Sequence, residues 1–91
     1  MPAPPNPARR ERRRAIGDQI RAARIYANLS QLEVADRAGI TLDNYGRIER
    51  GQSSPTLDTL LSVADAIGRP LSDLVREGPR PGAGDVNRPG L

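Results

Sequence analysis

The sequence predicts an all-α fold, a bundle of four to five short helices joined by tight turns, and three observations carry that prediction. Apolar residues recur at helical spacing, most regularly at Leu57, Leu60, Leu61, Ala64 and Ile67, and again at Ile16, Ile20, Ala23 and Ala27. Residues that start and stop helices punctuate these stripes, with Ser30 and Thr41 at starts and Gly39, Gly51 and Gly68 at stops. The side-chain inventory is that of a small bundle: there is no Phe or Trp and there are only two Tyr, so the core must be assembled from Leu, Ile, Val and Ala.

Residues 1–12 are expected to be a disordered, Pro/Arg-rich arm, residues 13–77 the folded domain and residues 78–91 a disordered Pro/Gly tail. Four prolines in the first eight residues argue against a packed element there. The arm's Arg9, Arg10, Arg12, Arg13 and Arg14 form a charge run that is either a solvated face or a device that tracks a phosphate backbone or enters a minor groove. The first helix is expected to run from within this run to about Ala27.

The second helix starts at Ser30, whose hydroxyl accepts from an orphan amide while Glu33 completes a Ser-x-x-Glu capping box. Leu32, Val34, Ala35 and Ala38 form its inward face; Gly39 stops it, and Ile40 tucks into the core as the chain reverses. Thr41 starts a third helix, about Leu42 to Arg50, which turns only Tyr45 and Ile48 inward. Gly46 lies inside it at a cost of up to about 1 kcal/mol against Ala, so something must come close to the backbone there, either DNA or the second helix. The fourth helix begins near Pro55 or Thr56, capped by Ser54 or Thr56, with Leu57, Leu60, Leu61, Ala64 and Ile67 as its core stripe. Pro70 opens a short fifth helix with Leu71, Leu74 and Val75 as its apolar side.

Composition bounds the function. The absence of Cys rules out a disulfide framework and a zinc finger, and the absence of His leaves only carboxylates for a metal. With no convergent cleft-forming signature either, no enzymatic activity, cofactor or metal is expected. No stretch approaches the roughly 18 consecutive apolar residues of a membrane span, so no membrane partner is expected and the location is expected to be cytoplasmic and nucleoid-associated. Residues 1–14 carry five Arg against one Glu, whereas residues 15–78 carry seven Arg against nine acidic residues. A slightly acidic globular part favours local basic patches over indiscriminate binding of nucleic acid.

Two short helices joined by a tight Gly-containing turn form a helix-turn-helix, whose second helix can lie in a DNA major groove. At Ser30-Gln31, Val34-Ala35, Gly39-Ile40, Arg47-Ile48-Glu49-Arg50-Gly51 and Ser54-Pro55-Thr56-Leu57, the sequence resembles the Cro/repressor-type (XRE) DNA-binding family, and the resemblance covers roughly Ile16 to Leu74. It implies a lambda-repressor-like bundle in which Thr41, Leu42, Asp43, Asn44 and Arg47 face the bases. It also implies that Gln31 bonds a phosphate beside the start of the second helix, and that Arg50, Gln52 and Ser53 lie in a loop against the second phosphate strand. By the same resemblance Arg24 pairs with Glu49, and the last helix often meets its counterpart in a dimer; otherwise that helix closes the monomer core.

The chemistry of the base-facing set fits to differing degrees. Arg47 suits guanine O6 and N7, Asn44 suits adenine, and Leu42 or the Thr41 methyl suits a thymine methyl. Asp43 is the departure, since it accepts from cytosine N4, or caps the helix, or holds Arg47 in place four residues on. The expected function is sequence-specific binding of double-stranded DNA to regulate transcription, most simply as a repressor and as a homodimer. The alternative is an antitoxin or partner-binding regulator whose tails bind another protein.

Overall fold

The computed structural model describes residues 7–77, which form five helices and no strand: α1 (Pro7–Tyr26), α2 (Gln31–Ala38), α3 (Leu42–Glu49), α4 (Leu57–Ile67) and α5 (Leu71–Leu74). The start of α1 departs from expectation. Residues 7–12, assigned by sequence to the arm, are helical, because Pro is tolerated in a first turn and the Ala, Arg and Glu that follow are strong helix formers. Two contacts then fasten this helix to the end of the domain. Arg12 grips Glu77 with two hydrogen bonds, Nε to Oε1 at 2.7 Å and Nη2 to Oε2 at 2.9 Å, and the Gln19 side-chain amide donates to the Arg76 carbonyl. The rest of the expected arm, residues 1–6, and the expected tail, 78–91, lie outside the described residues.

Local chemistry sets most of the other ends. After α1 the chain turns at Asn28, with φ of 59°, as the Leu29 amide reaches back to the Arg24 carbonyl at 3.1 Å. Asn tolerates this left-handed conformation better than most residues, and the bond closes the helix. Ser30 and Glu33 form the reciprocal capping box at the start of α2, each bond 3.0 Å. Gly39, with φ of 73°, makes the sharp turn into α3, whose first amides are capped by Thr41 Oγ1 on Asn44 N at 3.0 Å. Thr56 caps α4 through Thr59 N at 3.1 Å.

α2 packs against both α3 and α4, while α1 lies across α3 and α5. The core comprises Ile20, Val34, Ala35, Tyr45, Ile48, Val63, Ala64, Ala66, Ile67 and Leu74. Leu74 is fully buried with Leu71 and Val75 packed beside it, so the apolar side of α5 closes this core. Three expected core residues face outward instead: Leu32, Leu57 and Leu61 are 53%, 63% and 42% exposed. A helix on one side of a small core buries a single stripe, and in α4 that stripe is Leu60, Val63, Ala64 and Ile67 at i, i+3, i+4 and i+7. Leu57 and Leu61 fall on its flank.

At the crossing of α1 and the end of α3, backbone meets backbone. A Cβ on Gly17 would collide with the Glu49 carbonyl and lie 2.7 Å from the Ile48 carbonyl oxygen, and a Cβ on Gly51 would lie 2.7 Å from Arg14 Cα. This contact fixes the height and angle of α3 relative to the basic start of α1. No helix among the described residues is long and apolar enough to cross a membrane.

Candidate nucleic-acid interface

Behind α3 lies a buried polar network centred on Glu49, whose side chain is 2% exposed against 11% for Arg24. Arg24 donates to it through Nε at 2.6 Å and Nη2 at 3.2 Å, Gln31 through Nε2 at 2.9 Å, and the Tyr45 hydroxyl completes the set. Arg24 Nη1 donates further to the Leu29 carbonyl at 2.9 Å. One carboxylate therefore joins α1, α2 and α3. Burial alone pushes the Glu49 carboxyl up, but the hydrogen bonds from Arg24, Tyr45 and Gln31 outweigh it and hold the group below its ordinary range. Burial, and then the bond to Glu49, push the Tyr45 hydroxyl well above its usual pKa, so it remains a donor.

The outer side of α3 is the reverse. Thr41, Leu42, Asp43, Asn44 and Arg47 are all exposed and form one ridge on a helix whose other side carries buried Tyr45, Ile48 and Glu49. Asp43 holds Arg47, Oδ2 to Nε 3.3 Å, while the capping role belongs to Thr41. An exposed i,i+4 pair of this kind is worth only about 0.3–0.5 kcal/mol. Its consequence is to bias the Arg47 guanidinium and to leave it free to exchange Asp43 for another acceptor.

The other sequence-assigned positions divide. Gln31 sits at the start of α2 with one amide hydrogen committed to Glu49, leaving its second donor. Arg50 and Gln52 are exposed and linked, Arg50 Nε to Gln52 Oε1 at 3.0 Å. Ser53 is turned inward: its hydroxyl is buried without a hydrogen-bond partner among the described residues, beside an apolar recess that includes Ile16, Ile48 and Leu60. Of the Arg run, Arg9, Arg10 and Arg14 are exposed, Arg12 is held by Glu77, and Arg13 is half-buried with its Nε enclosed.

Within the chain, what approaches the backbone at Gly46 is not α2 but Arg50, whose Nη1 lies 3.0 Å from the site of a Cβ at that position. The far end of an exposed side chain can yield, so Gly46→Ala is expected to raise stability by up to about 1 kcal/mol through helix propensity alone. A thermal melt checks this, and a lowered melting temperature would mean that Arg50 cannot move aside. Two structural residues escaped the sequence reading. Gly17 left a usable signal, a glycine inside a helical apolar pattern, which usually marks a close approach. The hydroxyl of Tyr45 left none, because its partner is defined only once α3 is docked on α1.

The comparisons with known proteins agree with this geometry. A helix-turn-helix family matches the chain over residues 20–74. The immunity repressor protein of Bacillus phage phi105 is 36% identical over 62 residues, which cover 68% of this chain and 43% of that protein. The transcriptional regulator ClgR of Mycobacterium tuberculosis is 35% identical over 60 residues, which cover 66% of this chain and 54% of that protein. The chain thus spans about half the length, or less, of these curated relatives. The crystal structure of the restriction-modification controller protein C.AhdI from Aeromonas hydrophila superposes with a TM-score of 0.66 at 30% identity, covering 67% of this chain and 92% of that one. With a matching order of motifs, five helices in the corresponding arrangement and a family match over more than half its length, the chain belongs to the Cro/repressor-type (XRE) helix-turn-helix family.

Proposed function

We propose that this protein binds double-stranded DNA sequence-specifically and regulates transcription, most simply as a repressor, with α3 in the major groove. The observation that carries the proposal is the contrast between the two sides of α3: an exposed ridge of Thr41, Leu42, Asp43, Asn44 and Arg47 on a helix anchored from behind by Tyr45, Ile48 and Glu49. Arg47 and Asn44 have the donors and acceptors to discriminate guanine and adenine, and Leu42 offers an apolar surface to a thymine methyl. Gln31, Arg50 and Gln52 contact phosphates on either side of the groove and set the register of the ridge. Ser53 is left out of that set because its hydroxyl points into the domain.

The active species is a homodimer in the cytoplasm at the nucleoid. One α3 reads only a few base pairs, and two copies place two such helices about 34 Å apart on one face of the duplex. The test is selection from a random duplex library by the purified protein. Enrichment of a two-fold symmetric motif is expected, with half-sites about one helical turn apart. An asymmetric motif would sink the homodimer, and no enrichment would sink the DNA reading in favour of a protein partner.

A further inference from the structure

A recess of about 230 Å³ lies behind the end of α3, where α1, α3 and α4 meet the end of α5. Its apolar lining combines the buried Ile20 and Ile48 with Ile16, Leu60 and Val75, which are only partly buried, so the recess is reached from solvent. Two polar groups stand in this lining, enclosed and without a hydrogen-bond partner among the described residues: Nε of Arg13 and the hydroxyl of Ser53. Arg13 is also the single charged residue there. Buried donors without acceptors are rare in folded proteins, because each forfeits its bonds to water. These two share one requirement. Both donate, and the guanidinium adds a positive charge, so the group that completes the recess is an anionic acceptor. The apolar remainder of the lining excludes a small hydrated ion and calls for hydrocarbon. A water molecule would pair the donors and leave that wall bare, whereas a carboxylate on a hydrocarbon body meets both halves.

We infer that this recess binds a small monocarboxylic acid with an aromatic or short aliphatic body, the carboxylate on Arg13 and Ser53 and the body among Ile16, Ile20, Ile48, Leu60 and Val75. The volume sets the size of the acid. A cavity of about 150 Å³ admits benzene, so by proportion this one holds roughly nine non-hydrogen atoms. The site stands apart from the DNA-binding reading. It lies on the inward side of α3, opposite the exposed ridge, so a seated acid covers none of the base-facing residues. Ser53, whose hydroxyl is turned away from solvent in a polar loop, thereby serves a ligand instead of a phosphate.

The experiment is an NMR titration of the full chain near neutral pH, read at the isoleucine δ1 methyls. Benzoate is the probe, and benzamide is its uncharged isostere. For the wild type, benzoate is expected to give saturable shifts at Ile16, Ile20 and Ile48 and none at Ile25 or Ile40, which lie outside the recess. Benzamide binds at the same methyls roughly tenfold more weakly, for want of a charge-assisted bond. Arg13→Met brings benzoate down to the level of benzamide and leaves benzamide as it was. Val75→Phe, which fills the recess, abolishes the shifts with either compound. Should Arg13→Met fail to give a folded spectrum, Ser53→Ala decides the role of the polar pair. A loss of benzoate affinity of roughly threefold or more, with the shifts at the same methyls, upholds the site, and unchanged affinity overturns it. No saturable shift in the wild type, shifts spread equally over all isoleucines, or benzoate binding indifferent to Arg13→Met each overturn the inference.

Discussion

Glu49→Ala is expected to lower the melting temperature by on the order of 15 °C, because removing one partner of a buried ion pair costs about 3–5 kcal/mol and each kcal/mol moves the midpoint of a domain this small by about 4–8 °C. The truncation strands three donors at once. Arg24 is left as a sheltered charge, and the Tyr45 hydroxyl and Gln31 amide lose their acceptor. The same residue gives the protein an acid limit. A carboxyl held below its unfolded value of about 4.3 contributes stability that is complete above that pH and is lost as pH falls through the folded value. Urea denaturation at pH 7 and near pH 3 is therefore expected to show a steeper loss for wild type than for Glu49→Ala. A variant that melts with the wild type would mean that the network is ornamental and that α3 is held by apolar packing alone.

Gly17→Ala is expected to destabilise the domain by about 2 kcal/mol, although Ala is the better helix former by up to about 1 kcal/mol. The reason is the nature of the obstacle. A new Cβ meets the carbonyls of Ile48 and Glu49, which cannot retreat without lifting the end of α3 off α1. At Gly46 the same substitution meets only the tip of Arg50, so the two glycine-to-alanine changes differ in sign. Denaturant midpoints of the pair decide this. Equal stabilities for Gly17→Ala and Gly46→Ala would show that the helices can part at no cost, and the rigid setting of α3 would fail with it.

The features legible in the sequence are those whose partners lie within a few residues. Ser30 and Glu33, Thr41 and Asn44, Gly39 and Ile40 can be paired on paper because a helix end imposes the spacing. The exposed ridge of α3 is legible for the same reason, since a helix with Tyr45 and Ile48 inward has little freedom in what it shows outward. The start of α1 is not legible, because four prolines at the chain's beginning outweigh, by composition, a segment that Arg12 ties to Glu77 across 65 residues of sequence. Leu57 and Leu61 mislead because α4 carries more apolar residues than one stripe can bury, and only the docked partners choose which stripe wins. Gly46 shows that a residue can be flagged without being explained: the cost in helix propensity was readable, and the identity of the neighbour was not.

The central claim is that α3 reads bases, and the most direct measurement is the affinity of Asn44→Ala/Arg47→Ala for the duplex that the wild type enriches, with a scrambled duplex alongside. Each good base contact is worth about 1–3 kcal/mol of discrimination. The double variant should thus lose roughly a hundredfold or more on the enriched duplex, bind the scrambled one as before, and melt as the wild type does. Undiminished preference for the enriched duplex would contradict the account, because specificity would then lie outside the exposed ridge of α3.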